Sequence, residues 1–144
     1  MSEVPFPFTS PEEADAFKAR SLQAMWSHHN AALAKRDGAE FIKDFRSDCL
    51  FINNPLGGHG QGTFVGPAGV ESWCSQFFDL FSEIHQFKVP LGAHLHESAP
   101  GCGVVMISWQ IQNDKFSVTG GVDTFIVEAG QFKIVTVVYD VKPA

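Results

Sequence analysis

The apolar positions of the chain change period part-way along it. In "TSPEEADAF" Ser10 can cap a helix, Pro11 suits the first helical position and Glu13 completes a capping box. Leu22, Met25, Trp26, His29 and Leu33 then recur on one helical stripe. One long helix is therefore expected from Ser10 to about Asp37-Gly38. His29 is on the stripe; His28 is turned about 100° from it and should be wetter. A short second helix follows, with Phe41, Ile42 and Phe45 inward. "DCLFINNP" reads as a first strand ended by Pro55, and "LGGHGQGTF" as a Gly-rich loop. "GPAGVESWCSQFFDLFSEI" is a third helix with the stripe Val70, Trp73, Cys74, Phe77, Phe81 and Ile84. Four strand-like runs close the chain, at about 86–97, 103–112, 116–128 and 131–141. Helices segregated from a mostly antiparallel sheet make the class α+β, three N-terminal helices against a strongly curved sheet that can wrap the first helix and leave a cone-shaped cavity.

One carboxylate breaks the pattern of the third run. In "GGVDTFIVEAG" Asp123 shares a strand face with Phe125 and Val127, because side chains alternate with period two. An unpartnered acid there costs several kcal/mol on the order known for desolvated ions. Either it is tied off structurally or it serves a pocket. A three-residue loop, Asn113 to Lys115, pairs Gln112 with Phe116 and puts Val105, Ile107, Trp109 and Ile111 on the face of Asp123. A two-residue loop would bring Val104, Met106, Ser108 and Gln110 instead. The first set is the apolar one and is preferred, so Trp109 is expected beside Asp123. For Tyr139, inward and outward orientations both fit.

Composition narrows the function classes. With 144 residues, 44% of them hydrophobic, the chain is read as one domain, 1–144, with residues 1–10 as an N-terminal extension. Fourteen Phe against one Tyr imply a dry, aromatic interior. A net charge of −6 without a Lys/Arg cluster argues against a nucleic-acid partner. Cys49, Cys74 and Cys102 are an odd number with no close pair, which suggests reduced thiols and a cytoplasmic location. "MSEVPFPFTS" lacks a basic n-region and an apolar run, so no secretory leader is expected, and no stretch approaches the roughly 20 apolar residues of a membrane span.

The stretches "HNAALAKRDGAEFIKDFRSDCLFINNPLG", Gly-Thr-Phe-Val-Gly-Pro and "VDTFIV", in this order and spacing, resemble the nuclear transport factor 2-like superfamily over residues 15–141. Within it the chain is similar to the ketosteroid-isomerase and SnoaL-like polyketide-cyclase branches. The resemblance implies a cone-shaped α+β fold. The steroid isomerases carry a base carboxylate where the first strand meets a proline; that position is Asn54 here. Their protonated acid on the penultimate strand matches Asp123, and their first-helix tyrosine matches His29. An amide cannot abstract a proton, so the SnoaL-like cyclases, with an acid deep in the cone, are the closer chemical model.

Asp123 and His29 are thus the candidate catalytic pair. Either they form an acid–base unit, or Asp123 stays neutral and donates a hydrogen bond, or the two merely satisfy each other in the core. Asn54 could hold a ligand carbonyl or cap the turn at Pro55. Trp109, Phe64, Trp73 and Phe125 are candidate ligand contacts, with plain core as the alternative. His94 and His96 share a strand face, but Glu97 points to the other, so no metal site is expected, and no nucleotide fingerprint is present. His59 in the Gly-rich loop could serve a lid. The expected activity is a cofactor-free lyase or isomerase moving a proton on a mostly apolar, carbonyl-bearing small molecule. The rival is a non-catalytic binding or assembly module. Val122, Thr124, Ile126, Val104 and Met106 would form an outward apolar patch, from which a homodimer through the outer sheet face is expected.

Overall fold

The computed structural model describes residues 3–53, 62–84 and 86–143. The N-terminal pattern forms two helices rather than one: α1 (Pro11–Lys18) and α2 (Leu22–Lys35). Ser21 restarts the helix by accepting the Ala24 N–H, just as Ser10 caps α1 through Glu13. Arg20, between them, turns its guanidinium inward to Asp44 and to the Gly130 carbonyl. The apolar stripe begins at Leu22, after the break, and the capping box at Ser10 reads on into it as one helix. Helix α3 (Gly38–Phe41) and a single 3-10 turn (Ile42–Asp44) follow. Phe45, expected in that helix, instead begins the first strand; it is buried all the same.

The strands are β1 (Phe45–Asn53), β2 (Thr63–Val65), β3 (Gln86–Lys88), β4 (His94–Ala99), β5 (Cys102–Gln112), β6 (Phe116–Glu128), β7 (Gln131–Val138) and β8 (Lys142–Pro143), with α4 (Gly66–Leu80) between β2 and β3. The sheet order is β2-β1-β7-β6-β5-β3, with β4 also on β5 and β8 on β6. Only β1 with β7 is parallel, so the sheet is mixed and mostly antiparallel. β2 lies in what read as loop. The run expected at 86–97 is two strands, because Pro90 and Gly92 turn the chain; Gly92 has φ +68° and donates to the Val89 carbonyl.

The β5–β6 connection carries a compensation. Gln112 pairs with Ser117, not Phe116, which would reverse the faces, but the register shifts again between Trp109 and Ile111. Ile107 then stands opposite Asp123 and Val105 opposite Phe125. The connection is the expected three residues, Asn113 to Lys115, and the expected face is right, but a bulge rather than a Gln112–Phe116 pair produces it. The inner face packs on α2 and α4 through Met25, Trp26, Phe45, Phe51, Trp73, Phe77, Val105 and Phe132.

Candidate active-site cavity

Between this inner face and the helices lies a cavity of about 720 Å³. Helix α2 contributes Trp26, His29, Asn30 and Leu33, and α4 contributes Trp73 and Phe77. Phe51 comes from β1, Ile107 and Trp109 from β5, Asp123 and Phe125 from β6. Ile84, Phe87, Val89 and Gly92 line it around β3. Such a volume suits a ligand of drug size, and a mostly apolar lining with a few convergent polar groups is what small-molecule sites share.

Asp123 accepts a 2.7 Å hydrogen bond from the Trp109 indole N–H on Oδ1. Its remaining surface is partly exposed and faces the cavity. Burial pushes its carboxyl up to about 7, well above the usual carboxylate range, against the opposing pull of the Trp109 bond. At neutral pH the group therefore exists in both forms. Gly121 makes the bond possible. It pairs with Trp109 across the strands, and a Cβ there would fall 2.3 Å from the indole ring. The indole occupies the space that any side chain would need.

His29 is buried under a canopy of rings. It stacks on Trp26 at 5.3 Å and meets Phe41 at 4.8 Å, Phe132 at 4.9 Å and Phe125 at 5.5 Å between centroids. Its carboxylate neighbour is Asp44, with Nδ1 3.6 Å from Oδ2. Among the described residues no hydrogen bond joins His29 to Asp123. The two face one cavity from helix and sheet; His29 has Asp44 as its near carboxylate, and Asp123 is bonded to Trp109. Asp44 is fully buried, and its other oxygen accepts 2.8 Å bonds from Arg20 and from His28 Nδ1. Burial alone would raise the Asp44 carboxyl. His28, His29 and the Arg20 charge outweigh it and hold the group below its ordinary value. Asp44 escaped the sequence reading because one turn of 3-10 helix has no periodicity to expose it.

Trp109, Trp73 and Phe125 line the cavity, whereas Phe64 is buried against Phe51 in the core beneath and is absent from the described lining. Asn54 and His59 lie outside the described residues. Tyr139 points inward, 5.4 Å from the Trp109 ring. Glu97 accepts the Leu22 N–H at 2.6 Å, which ties β4 to the start of α2. His94 and His96 are exposed beside it on the outer face. Cys49 and Cys74 are core thiols that burial pushes up to about 12.

No protein-family model matches the chain, and no curated protein matches it by sequence. Solved structures do share its fold. A protein of unknown function with a cystatin-like fold from Methylobium petroleophilum is 14% identical with a TM-score of 0.63, covering 90% of this chain and 80% of its own. Hexachlorocyclohexane dehydrochlorinase LinA-type3 from Novosphingobium barchaimii is 15% identical with a TM-score of 0.60, covering 92% and 94%. An NTF2-like protein of unknown function from Burkholderia xenovorans is 14% identical with a TM-score of 0.53, covering 90% and 84%. The chain thus has the cystatin-like, nuclear transport factor 2-like fold. Identities this low speak for the fold alone, a fold that hosts enzymes and proteins without assigned activity alike.

Proposed function

We propose that the protein is a cofactor-independent lyase or isomerase of the SnoaL-like or ketosteroid-isomerase-like kind. It binds a mostly apolar, carbonyl-bearing small molecule in the cavity and moves a proton next to the carbonyl. The observation that carries this reading is Asp123: an acid with its pKa near 7, held by Trp109 on one oxygen and open to an aromatic-lined cavity on the other side. A group poised near the working pH is what general acid–base catalysis requires. His29 supplies the second titratable group on the same cavity. The ligand, rather than a direct bond, links the two.

Three ketones of increasing size, 1-tetralone, 2-decalone and progesterone, test the reading. Trp26, Trp73 and Trp109 line the cavity, so binding should quench indole fluorescence saturably. The α-hydrogens of at least one bound ketone should exchange with D2O faster than in buffer, and Asp123→Asn should abolish that gain. Binding without accelerated exchange would instead support a non-catalytic binding module, and accelerated exchange that survives the substitution would remove Asp123 from the proton transfer.

The same reading includes a homodimer through the outer sheet face. Met106, Val122 and Ile126, expected to point outward, are exposed there at 48%, 47% and 36%. Apolar side chains clustered on one face of a sheet favour a self-complementary contact.

A further inference from the structure

We propose that Asp44 is the positioning residue of the cavity's histidine: its Oδ2 holds the His29 Nδ1–H, so that Nε2 meets the ligand as a base while Asp123 serves as the acid. The inference rests on the proton-transfer reading and divides its labour. The geometry has three parts. Asp44 Oδ1 is occupied twice, by Arg20 Nη1 and by His28 Nδ1, each at 2.8 Å. Arg20 is itself anchored, donating through Nη2 to the Gly130 carbonyl at 2.7 Å. The carboxylate therefore cannot rotate without breaking two charged contacts, and its second oxygen is aimed at His29.

Oδ2 of Asp44 and Nδ1 of His29 are both buried, and among the described residues neither has a hydrogen-bond partner. They lie 3.6 Å apart. A movement of under about 1 Å brings them to the usual distance of a charge-assisted bond. An ionised carboxylate only accepts hydrogen bonds, so the proton on neutral His29 belongs on Nδ1 and the lone pair on Nε2. The surrounding charges agree. His28 is clamped between Asp44 and Glu40, whose Oε2 lies 2.9 Å from its Nε2, and the Asp44 contact keeps His28 protonated to higher pH than usual. Glu40 and Glu13 share Lys43, at 2.6 and 3.0 Å. Among the described residues the rings of Trp26, Phe41, Phe45, Phe125 and Phe132 pack on the His29 ring, and the charged group facing it is the Asp44 carboxylate.

The step balances without a co-reactant. The α-proton of the ligand passes to His29 Nε2, and its electron pair stays on the carbon as the enolate. The enolate oxygen takes the proton of the Asp123 carboxyl. Return of the His29 proton to the same carbon and of the enol proton to Asp123 completes a hydrogen exchange; where a β,γ double bond of the ligand is conjugated with the enol, return to the γ-carbon instead completes an isomerisation. Asp44 stabilises the imidazolium that forms in between.

Imidazole ¹⁵N spectra of the full-length wild-type protein decide the positioning directly, with no substrate present. At pH 8 His29 should show a protonated Nδ1 and a bare Nε2; the opposite tautomer would overturn the proposal. Asp44→Asn, which can present the wrong tautomer partner, should lower kcat for α-hydrogen exchange of whichever ketone the wild type turns over by on the order of 10²–10⁴, as for a triad carboxylate, with KM changed less than about threefold. An unchanged kcat would also overturn it. If the variant does not fold, the wild-type spectrum still decides. If no ketone exchanges with the wild-type protein, the proton-transfer reading fails, while the tautomer separately reports on Asp44.

Discussion

Trp109 Nε1 lies 2.7 Å from Asp123 Oδ1, yet the two residues do not stand opposite each other on their strands. Asp123 faces Ile107, and Trp109 faces Gly121. The indole crosses the ladder diagonally, over a residue with no side chain, to reach the carboxyl. Phe77 and Tyr139 hold its ring from either side at 6.3 and 5.4 Å. The carboxyl that faces the cavity from the sheet is thereby fixed to β5 and β6, and its proton affinity depends on how that indole packs.

Trp109→Phe keeps an aromatic ring and removes the donor. The Trp109 bond favours the ionised form, so its loss should push the Asp123 pKa further above 7. A hydrogen bond to a charged group contributes about 1.5–3 kcal/mol, which corresponds to a rise of about one pH unit or more. A ¹³C titration of the Asp123 carboxyl checks this; an unmoved midpoint would mean that the bond has no hold on the charge.

Gly121→Ala should act at a distance with the same sign. The added Cβ needs the place of the indole atoms now 2.3–2.7 Å from it, so the Trp109 ring must move. Stability should fall by about 1–3 kcal/mol, the usual cost of overpacking. The Asp123 midpoint should rise as it does in Trp109→Phe, and the double variant should show little further change. Additive midpoint shifts would separate the two residues.

Much of this arrangement could be read from residue pattern, for definable reasons. Strand alternation placed Asp123, Trp109 and Phe125 on one face, and it survived a one-residue difference in the pairing beside the turn because burial of the apolar set selects the face whatever the loop does. Helical period placed His29 inward. For Phe64 the plain-core alternative is the one the structure shows, and pattern could not choose it because period separates inside from outside but not core from cavity. The break at Arg20 and Ser21 went unread because the capping box at Ser10 and the stripe that starts at Leu22 read as one helix, with no glycine or proline between Glu13 and Leu22 to part them. Asp44 had no signal at all: its role comes from residues 20, 28 and 29 converging on it in space, and its neighbours in sequence belong to neither period.

The pH dependence of stability follows from the same carboxyl. An unfolded aspartate titrates near ~3.9, and Asp123 in the fold near about 7. Between these values the folded protein binds more protons than the unfolded chain, so stability falls as pH rises through the window. Asp123→Asn still accepts the Trp109 N–H but cannot ionise. It should therefore lose this part of the slope and exceed the wild type at pH 8 by up to about 4 kcal/mol. Asp44 works in the opposite sense: its lowered value gives stability above the unfolded value that is lost as pH falls through the folded one. Denaturant unfolding at pH 5 and pH 8 checks the Asp123 part, and unfolding carried below about pH 4 checks the Asp44 part; equal slopes for wild type and Asp123→Asn between pH 5 and pH 8 would remove the buried-acid account.

The outer sheet face predicts the assembly state. Its pairing aligns Val65, Leu50, Ile134, Ile126 and Val104 in one row across five strands. Val122 and Val138 pair in another row, and Met106 stands beside Thr124 in a third. Val65, Leu50, Val138, Val122 and Met106 are all more than a third exposed, so the rows form one apolar surface rather than scattered residues. A two-fold contact would set each row against its own copy and leave no second face for a third subunit. Light scattering at micromolar concentration should give twice the sequence mass of 15.8 kDa. Ile126→Lys puts a charge in the longest row, and should return the mass to that of one chain without moving the Asp123 midpoint, because Ile126 and Asp123 lie on opposite faces of β6. A wild-type mass near 15.8 kDa would sink the dimer, since the row would then be covered by nothing larger than solvent.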